Sequence, residues 1–212
     1  YGAPAAGTVA RIHRGDRRAL LAVEIEVGSR EEQVELDRID ALGASPAALR
    51  AAVLRAGLWP VLRQRPFDRV PHSSSTPAAL LVTAMDTRPL APEPLQLLAG
   101  REAAFRHGLA ALARMVEAPT WLCVAGGTEE TWARLAPDGV RIQGFTGPHP
   151  AGTPGFHIHR LAPVGPGRAS WHIGCQDTAD IGALFLEGRI PTRRVVALVG
   201  PAVREPDRKS VV

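Results

Sequence analysis

Four histidines lie in one short stretch of this sequence, at His149, His157, His159 and His172. In a β-strand, His157 and His159 would point to the same face, an arrangement in which some metal hydrolases present two imidazole ligands. A catalytic metal also needs a third protein ligand, and Asp177 is the acid within plausible reach. The alternative is that these imidazoles form hydrogen bonds to the backbone of a loop rich in glycine and proline. We favour the loop, predict no metal ligand and no catalytic residue, and keep a metal-dependent hydrolase as the alternative.

A segment with aromatic and arginine side chains is the second candidate site. It contains Trp59, Arg63, Arg65 and Phe67. Aromatic rings stack on flat ligands, and guanidinium groups donate hydrogen bonds to carbonyl oxygens. We therefore predict that these four residues contact a quinone. Contact with a partner protein is one alternative, and packing of Trp59 and Phe67 into the core is the other.

The turns that could hold a phosphate lack the required glycines. The predicted strand that ends at Ala84 is followed by MDTRP (85–89), which has no glycine to let a pyrophosphate approach the backbone. The pair Gly126-Gly127 lacks the remaining spacing of a phosphate-binding fingerprint. We therefore expect no dinucleotide or flavin site in these residues.

The elements that must position these residues alternate between strands and helices. Apolar strands are predicted at 79–84, 120–125 and 140–145, and helices at 93–116, 128–135 and 176–187. Phe105, Leu109, Leu112 and Met115 form one apolar stripe of the first of these helices. Continuous apolar strands separated by helices predict an α/β fold with a parallel sheet covered on both faces, which is Rossmann-like. Ligands of such a sheet bind at the carboxyl ends of its strands.

One earlier helix has clear start and stop signals. Ser45 is a favourable N-cap, and the proline that follows it suits the first helical position. Gly57 stands where a glycine would end the helix. Leu49, Val53 and Leu54 are predicted to form its buried face.

Short strands are predicted at both ends of the chain. Residues 7–12 and 20–27 are two of them, and the second alternates apolar residues with glutamates as a half-buried strand does. Residues 194–199 form another strand, which Gly200-Pro201 ends. Two strands are too few for a domain, so we expect these regions to belong to flanking domains.

Composition and charge restrict the class of protein. With 212 residues, of which 45% are hydrophobic and 22% charged, the chain can form one globular domain with pieces of its neighbours. No apolar run approaches the ~18 residues that a membrane span needs, so we predict none. The net charge is +4, but the arginines are spread among acids, so we predict no nucleic-acid partner. Two cysteines, Cys123 and Cys175, are typical of a reducing compartment.

Several short stretches occur in an order that resembles one family. They are GLWP (57–60), RQRPF (63–67), VTAMDT (82–87), FTGPHPAG (145–152), HIH (157–159), WHI (171–173), QD (176–177) and RVVALVGP (194–201). Together they closely resemble the A subunit of the bacterial sodium-translocating NADH:quinone oxidoreductase. The resemblance extends from about residue 7 to residue 206.

The resemblance implies an order of domains. Residues 1–30 would close a barrel-sandwich hybrid (biotinyl-like) domain whose beginning lies upstream. Residues 31–190 would be the Rossmann-like domain, similar to the flavin-binding subunit of respiratory complex I but without a working flavin or NADH site. Residues 191–206 would open a β-grasp domain of the soluble-ligand-binding type. The terminal DRKSVV (207–212) breaks the local composition, and we expect it to be a sequencing artefact.

The resemblance also implies a function. The parent complex is a translocase that couples NADH oxidation and ubiquinone reduction to sodium export, and it uses flavins and iron held in other subunits. A member of this family would be peripheral, on the cytoplasmic face of the bacterial inner membrane, with the other subunits as partners, ubiquinone as a candidate ligand and no bound cofactor of its own. His149, His157 and His159 would lie in a family motif of unknown role. An electron-carrying subunit of the RnfC type is a further alternative, but it would require cysteine clusters that this sequence lacks.

Overall fold

The computed structural model describes residues 3–30, 32–203 and 207–211, the last of these as backbone. Predictions for residues 1, 2, 31, 204–206 and 212 lie outside this part. The chain first forms an antiparallel hairpin of β1 (Gly7–Arg14) and β2 (Leu20–Val27), in which Ile12 pairs with Val23. Both strands predicted in this region are confirmed.

The first helix, α1 (Pro46–Arg55), begins and ends as its sequence predicts. The Ser45 hydroxyl accepts a hydrogen bond from the Ala48 amide at 3.2 Å, and Gly57 has a left-handed φ of 72°. Leu49 and Val53 are fully buried. Leu54 is 41% exposed, so its assignment to the buried face was wrong, because it directly follows Val53 and lies about 100° further around the helix.

A five-stranded sheet forms the centre of the fold. Its strands are β3 (Arg63–Arg65), β4 (Leu80–Ala84), β5 (Thr120–Ala125), β6 (Arg141–Phe145) and β7 (Ser170–Gly174). They lie in the order β3-β7-β4-β5-β6, with β7, β4, β5 and β6 parallel and β3 antiparallel to β7. The predicted parallel sheet is therefore confirmed, and it includes two strands, β3 and β7, that the periodicity did not predict.

Five more helices connect and cover these strands. They are α2 (Pro94–Leu97), α3 (Glu102–Val116), α4 (Glu129–Ala133), α5 (Pro154–Leu161) and α6 (Cys175–Glu187). The helix predicted at 93–116 is two helices, because Gly100 adopts a left-handed φ of 76° between them. Residues 157–159, considered as a possible strand from the sequence, lie in α5, where Thr153 caps the helix by accepting a hydrogen bond from the Phe156 amide.

Apolar side chains cover the sheet on both faces. The larger cluster joins α1, α3 and α6 to side chains such as Leu80, Val82 and Trp171. The smaller cluster joins α5 to the opposite face, where Ile158 packs with Leu81 and Cys123. The predicted stripe on α3 is confirmed, since its four side chains are at most 1% exposed.

The last elements form a second antiparallel hairpin, of β8 (Arg194–Leu198) and β9 (Asp207–Val211). Its second strand consists of five of the six residues that we expected to be an artefact. Val212 lies outside the described residues. In the ranges that the structure describes, no helix is both long and apolar enough to cross a membrane.

Candidate functional site

The carboxyl edge of the sheet contains a crevice at the point where the strand order reverses. The chain runs from β4 outward to β5 and β6, and then returns to place β7 on the other side of β4. At such a switch point the connections leave in opposite directions, so the strand ends are not covered, and ligands of open α/β sheets bind there. The crevice therefore lies between the ends of β4 and β7.

The crevice has a volume of about 460 Å³, which is within the size range of small-molecule sites. It is lined by Thr83 of β4 and by Met85 and Asp86 of the turn that follows. On the other side it is lined by Gly174, Cys175 and Gln176, from the end of β7 and the start of α6. Burial raises the pKa of the Cys175 thiol to about 11, so this sulfur is a packing group and not a nucleophile at neutral pH.

Two ion pairs set the charge at the mouth of the crevice. Arg88 binds Asp86 with its Nε and terminal nitrogen, and Arg194 binds Asp177. Burial acts to raise the pKa of Asp86, but the hydrogen bonds and charge of Arg88 lower it overall. The two pairs leave the mouth close to neutral.

This arrangement does not fit a dinucleotide or flavin phosphate. The turn after β4 contains no glycine, and the Asp86 carboxylate occupies its second position. A phosphate placed there would face that carboxylate, and the Arg88 cation that could bind the phosphate is already paired with Asp86. The side chains present therefore suit an uncharged ligand better than a phosphate.

The GPHPAG motif (147–152) forms the wall beside the crevice and is fixed to the turn after β4. The Gly152 amide donates a hydrogen bond to the Thr87 hydroxyl at 2.9 Å, and His149 Nδ1 lies 3.3 Å from the same oxygen. A Cβ on Gly152 would come within 2.6 Å of the Thr87 backbone nitrogen, so only glycine allows this approach. His149 is thus an exposed residue that orients a turn.

His157 is fully buried in α5 and acts within the fold. Its Nε2 lies 2.9 Å from the Ala151 carbonyl oxygen, which requires a proton on this nitrogen, and its ring stacks on Phe145 with centroids 4.3 Å apart. Burial lowers the pKa of His157 to about 4, so the ring is neutral at pH 7. For His157 this is the hydrogen bond to the loop backbone that we favoured, whereas His149 and His172 contact the side chains of Thr87 and Asp68.

The His-x-His arrangement required for a metal is not formed. His157 is buried, whereas His159 is exposed, because residues two apart on a helix point in nearly opposite directions. Among the residues that the structure describes, no group of three potential ligands could hold a metal ion. The strand geometry on which the hydrolase alternative depended was therefore wrong.

The predicted aromatic and arginine site is divided between core and surface. Trp59 is 5% exposed, its indole nitrogen donates to the Pro71 carbonyl at 2.8 Å, and its ring meets Trp171 edge to face. Phe67, in contrast, is 77% exposed. The two rings therefore do not share a surface, and a quinone cannot stack on both. Contact of a quinone with Arg63, Arg65 and Phe67 stays a prediction.

Sequence reasoning missed the residues that line the crevice. Asp86 and Gln176 each lie two residues after the end of a strand, β4 and β7. The rule that ligands bind at strand ends could therefore have identified Asp86, whose strand was predicted. The position of Gln176 in the crevice could not be predicted in this way, because its strand, β7, was not predicted. Arg194 belongs to another hairpin and reaches the crevice only through the fold.

Comparison with known proteins identifies the family. The family model described as "NqrA second alpha/beta domain" matches residues 44–190, which is most of the chain and extends from before α1 to just after α6. The chain belongs to the NqrA family. The fold that this membership and the structure establish is a mixed α/β domain with a parallel sheet.

Curated members of the NqrA family match almost the whole chain. The A subunit of the Na(+)-translocating NADH-quinone reductase of Pseudomonas aeruginosa (strain PAO1) is 44% identical over 209 residues, which is 97% of this chain and 46% of the relative. The proteins of the same name from Alcanivorax borkumensis and Serratia proteamaculans are 42% and 44% identical over 211 residues, with the same coverage. The chain thus spans about half the length of the curated NqrA relatives that it matches.

Proposed function

We propose that this chain forms the central part of the NqrA subunit of a sodium-translocating NADH:quinone oxidoreductase. The observation that carries this proposal is the match of 97% of the chain to a protein of that kind at 44% identity. In this proposal the complex oxidises NADH, reduces ubiquinone and exports sodium ions. The NqrA subunit is peripheral, lies on the cytoplasmic face of the bacterial inner membrane and has the other subunits as partners.

The finer fold assignment forms part of the same proposal. Four parallel strands with helices on both faces and a crevice at the switch point support a Rossmann-like domain at 31–190. The hairpin of β1 and β2 would be the end of a barrel-sandwich domain, and the strand β8 the start of a β-grasp domain.

We further propose that this part of NqrA binds no redox cofactor. The Asp86 carboxylate and the lack of glycine after β4 oppose a phosphate at the switch point. Flavin, iron and NADH chemistry would then take place in other parts of the complex, and the role of this domain is to hold subunits in place or to contact ubiquinone.

A segment exchange tests the proposed function. The matching segment of NqrA in Pseudomonas aeruginosa is replaced by this chain, and membranes are assayed for sodium-stimulated NADH oxidation with ubiquinone as acceptor. We expect activity well above that of membranes whose NqrA lacks the segment. A chimera that is present at the normal level but restores no activity would contradict the proposal.

Accessibility to protease tests the location. Right-side-out and inside-out vesicles are treated with a protease, and cleavage of NqrA is followed by immunoblot. The proposal requires cleavage in inside-out vesicles alone, because only these expose the cytoplasmic face. Cleavage in right-side-out vesicles would place NqrA on the other side.

A further inference from the structure

Phe67 lies at the tip of a tight turn at the edge of the sheet. We call residues 64–69 the Phe67 turn. It begins within β3, the edge strand, and folds back so that Gln64 and Arg69 exchange two backbone hydrogen bonds. Phe67 is 77% exposed, which is more than the other large apolar side chains of the described residues. A ring this exposed contributes little hydrophobic burial to the stability of the chain itself.

The backbone of the Phe67 turn is strained. Phe67 has a φ of 74° and Asp68 a φ of 51°, so two consecutive non-glycine residues are left-handed. A bulky residue rarely adopts this region, because its Cβ crowds the backbone. Such strain persists only where the surroundings hold it, and it is concentrated at functional sites.

One contact to the neighbouring strand and two contacts within the turn hold the Phe67 turn in this conformation. Asp68 Oδ1 lies 3.0 Å from His172 Nε2 on β7, and 3.5 Å from Arg65 Nε. The Arg69 guanidinium lies 5.2 Å from the centre of the Phe67 ring. The chain therefore fixes the ring in an outward position instead of letting it fold against the domain.

The surroundings of Phe67 are positively charged. Arg69 lies over its ring, and Arg65 lies 3.5 Å from the neighbouring Asp68. Arg63 is exposed and stands two residues before Arg65 in the same edge strand. Asp68 is the acid of the turn; it is hydrogen-bonded to His172, and Arg65 Nε lies at ion-pair distance from it. A central aromatic residue with arginines around it has the composition of a protein-binding hot spot.

We propose that the Phe67 turn docks into an apolar pocket with an acidic rim on another subunit of the complex. This inference rests on the proposed function, since that function supplies the partner. The fixed conformation of the turn favours binding to a protein pocket. A group that is already ordered loses less conformational entropy when it enters a pocket of fixed shape. A fluid bilayer has no fixed shape to match. A quinone requires a concave site, whereas this ring projects outward and Arg69 covers one face of it.

The test measures how fast NqrA leaves the assembled complex. The reductase that carries this chain within its NqrA is immobilised through a tag on another subunit, and release of NqrA is followed over time. Phe67→Ala is expected to accelerate release roughly 30-fold, as loss of a hot-spot residue does. Leu90→Ala is the matched control, because Leu90 is 65% exposed and also has a positive φ, of 62°. It should leave the rate unchanged.

A charge reversal tests the acidic rim. Arg63→Glu should also accelerate release, whereas Arg160→Glu, at an exposed position of α5, should not. Unchanged release of both Phe67→Ala and Arg63→Glu would overturn the proposal. A wild-type NqrA that never joins the complex would instead overturn the proposed function, and the docking proposal with it.

Two further measurements distinguish a protein partner from a membrane surface and from a quinone. Binding to phosphatidylcholine and phosphatidylserine vesicles that Phe67→Ala abolishes, with unchanged release from the complex, would assign the turn to the membrane surface. An increased KM for ubiquinone with unchanged release would assign it to the quinone. Each of these results would overturn docking to a protein.

Discussion

At the scale of single residues, the histidines of the HIH motif and the neighbouring His149 have structural roles that differ from one another. His157 is buried and neutral and is bonded to Ala151, whereas His159 is exposed on the same helix. His149 is exposed and orients Thr87. A set of histidines that suggests shared chemistry therefore contains one core residue, one surface residue and one residue that positions a turn.

The burial of His157 predicts a pH dependence of stability. Its pKa is about 4 in the folded chain and about 6.5 in an unfolded chain, so the unfolded state binds the proton more tightly. Its contribution to folding is complete above pH 6.5 and is lost as the pH falls toward 4. We expect the free energy of unfolding to fall by roughly 1 to 2 kcal/mol between pH 6.5 and pH 5 from this residue.

Urea unfolding of His157→Gln checks this prediction. Glutamine can still donate a hydrogen bond to Ala151 but does not titrate, so the variant should lose less stability over that pH interval than the wild type. His159→Gln is the matched control, because His159 is exposed on the same helix, and this variant should lose as much stability over the interval as the wild type does. Equal pH slopes for the wild type and His157→Gln would show that the buried ring does not resist protonation.

At the scale of elements, two glycines determine how α3 and α6 pack. A Cβ on Gly108 would lie 1.8 Å from the Thr178 carbonyl oxygen, and one on Gly182 would lie 1.7 Å from the Ala104 carbonyl oxygen. Both distances are far shorter than any real contact, and both involve backbone atoms that cannot rotate away. The two helices approach each other closely because neither has a side chain at the crossing.

Alanine substitutions test this contact. Gly108→Ala and Gly182→Ala should each lower the free energy of unfolding by about 1–3 kcal/mol or more, since the helices must move apart. Gly155→Ala is the matched control, as Gly155 also lies in a helix but has no atom within 4 Å of an added Cβ. Gly155→Ala should leave the free energy of unfolding unchanged or raise it by up to about 1 kcal/mol. Urea midpoints give the comparison, and a neutral Gly108→Ala would refute the packing argument.

The elements that the sequence predicted are those with strong periodicity or clear caps. Apolar runs identified β4, β5 and β6, and the Ser45-Pro46 pair identified α1. The Thr153-Pro154 pair is the same signal at the start of α5, but the surrounding glycines and prolines hid it. β3 consists of only three residues, all of them polar, so its sequence has no strand pattern. It is a strand because it pairs with β7 in the folded chain.

The candidate site could be predicted only where it depends on local sequence. The end of β4, with Asp86 and Thr87, follows from the strand pattern. The position of the crevice does not, because it depends on β7 returning beside β4, a contact between residues far apart in the chain. The burial of Trp59 could not be predicted for the same reason, since it depends on tertiary packing against Trp171.

At the scale of the whole molecule, the first hairpin exposes one apolar face. Ile12, Leu21, Val23 and Val27 are 44% to 67% exposed, and the alternation of strand residues places them on the same side. Exposed apolar patches of this kind promote association. We expect the isolated chain to self-associate as its concentration rises, measured by sedimentation velocity.

A pair of double variants locates the contact. Leu21→Lys with Val23→Lys should keep the chain monomeric, because the charges lie on the apolar face. Thr8→Lys with Ala22→Lys adds the same charge to the opposite face of the hairpin and should not prevent association. If both double variants, or neither, became monomeric, the apolar face would not be the contact.

The second hairpin is joined to the α/β domain by the side-chain amide of Gln176. This amide accepts a hydrogen bond from the Val195 amide and donates one to the Val195 carbonyl, as a neighbouring strand would. Gln176 is also at the start of α6 and lines the crevice. Local unfolding of the hairpin and the ordering of the crevice are therefore linked equilibria. A molecule that binds the crevice only when the first turn of α6 is folded would therefore also make the second hairpin and the α/β domain unfold more cooperatively.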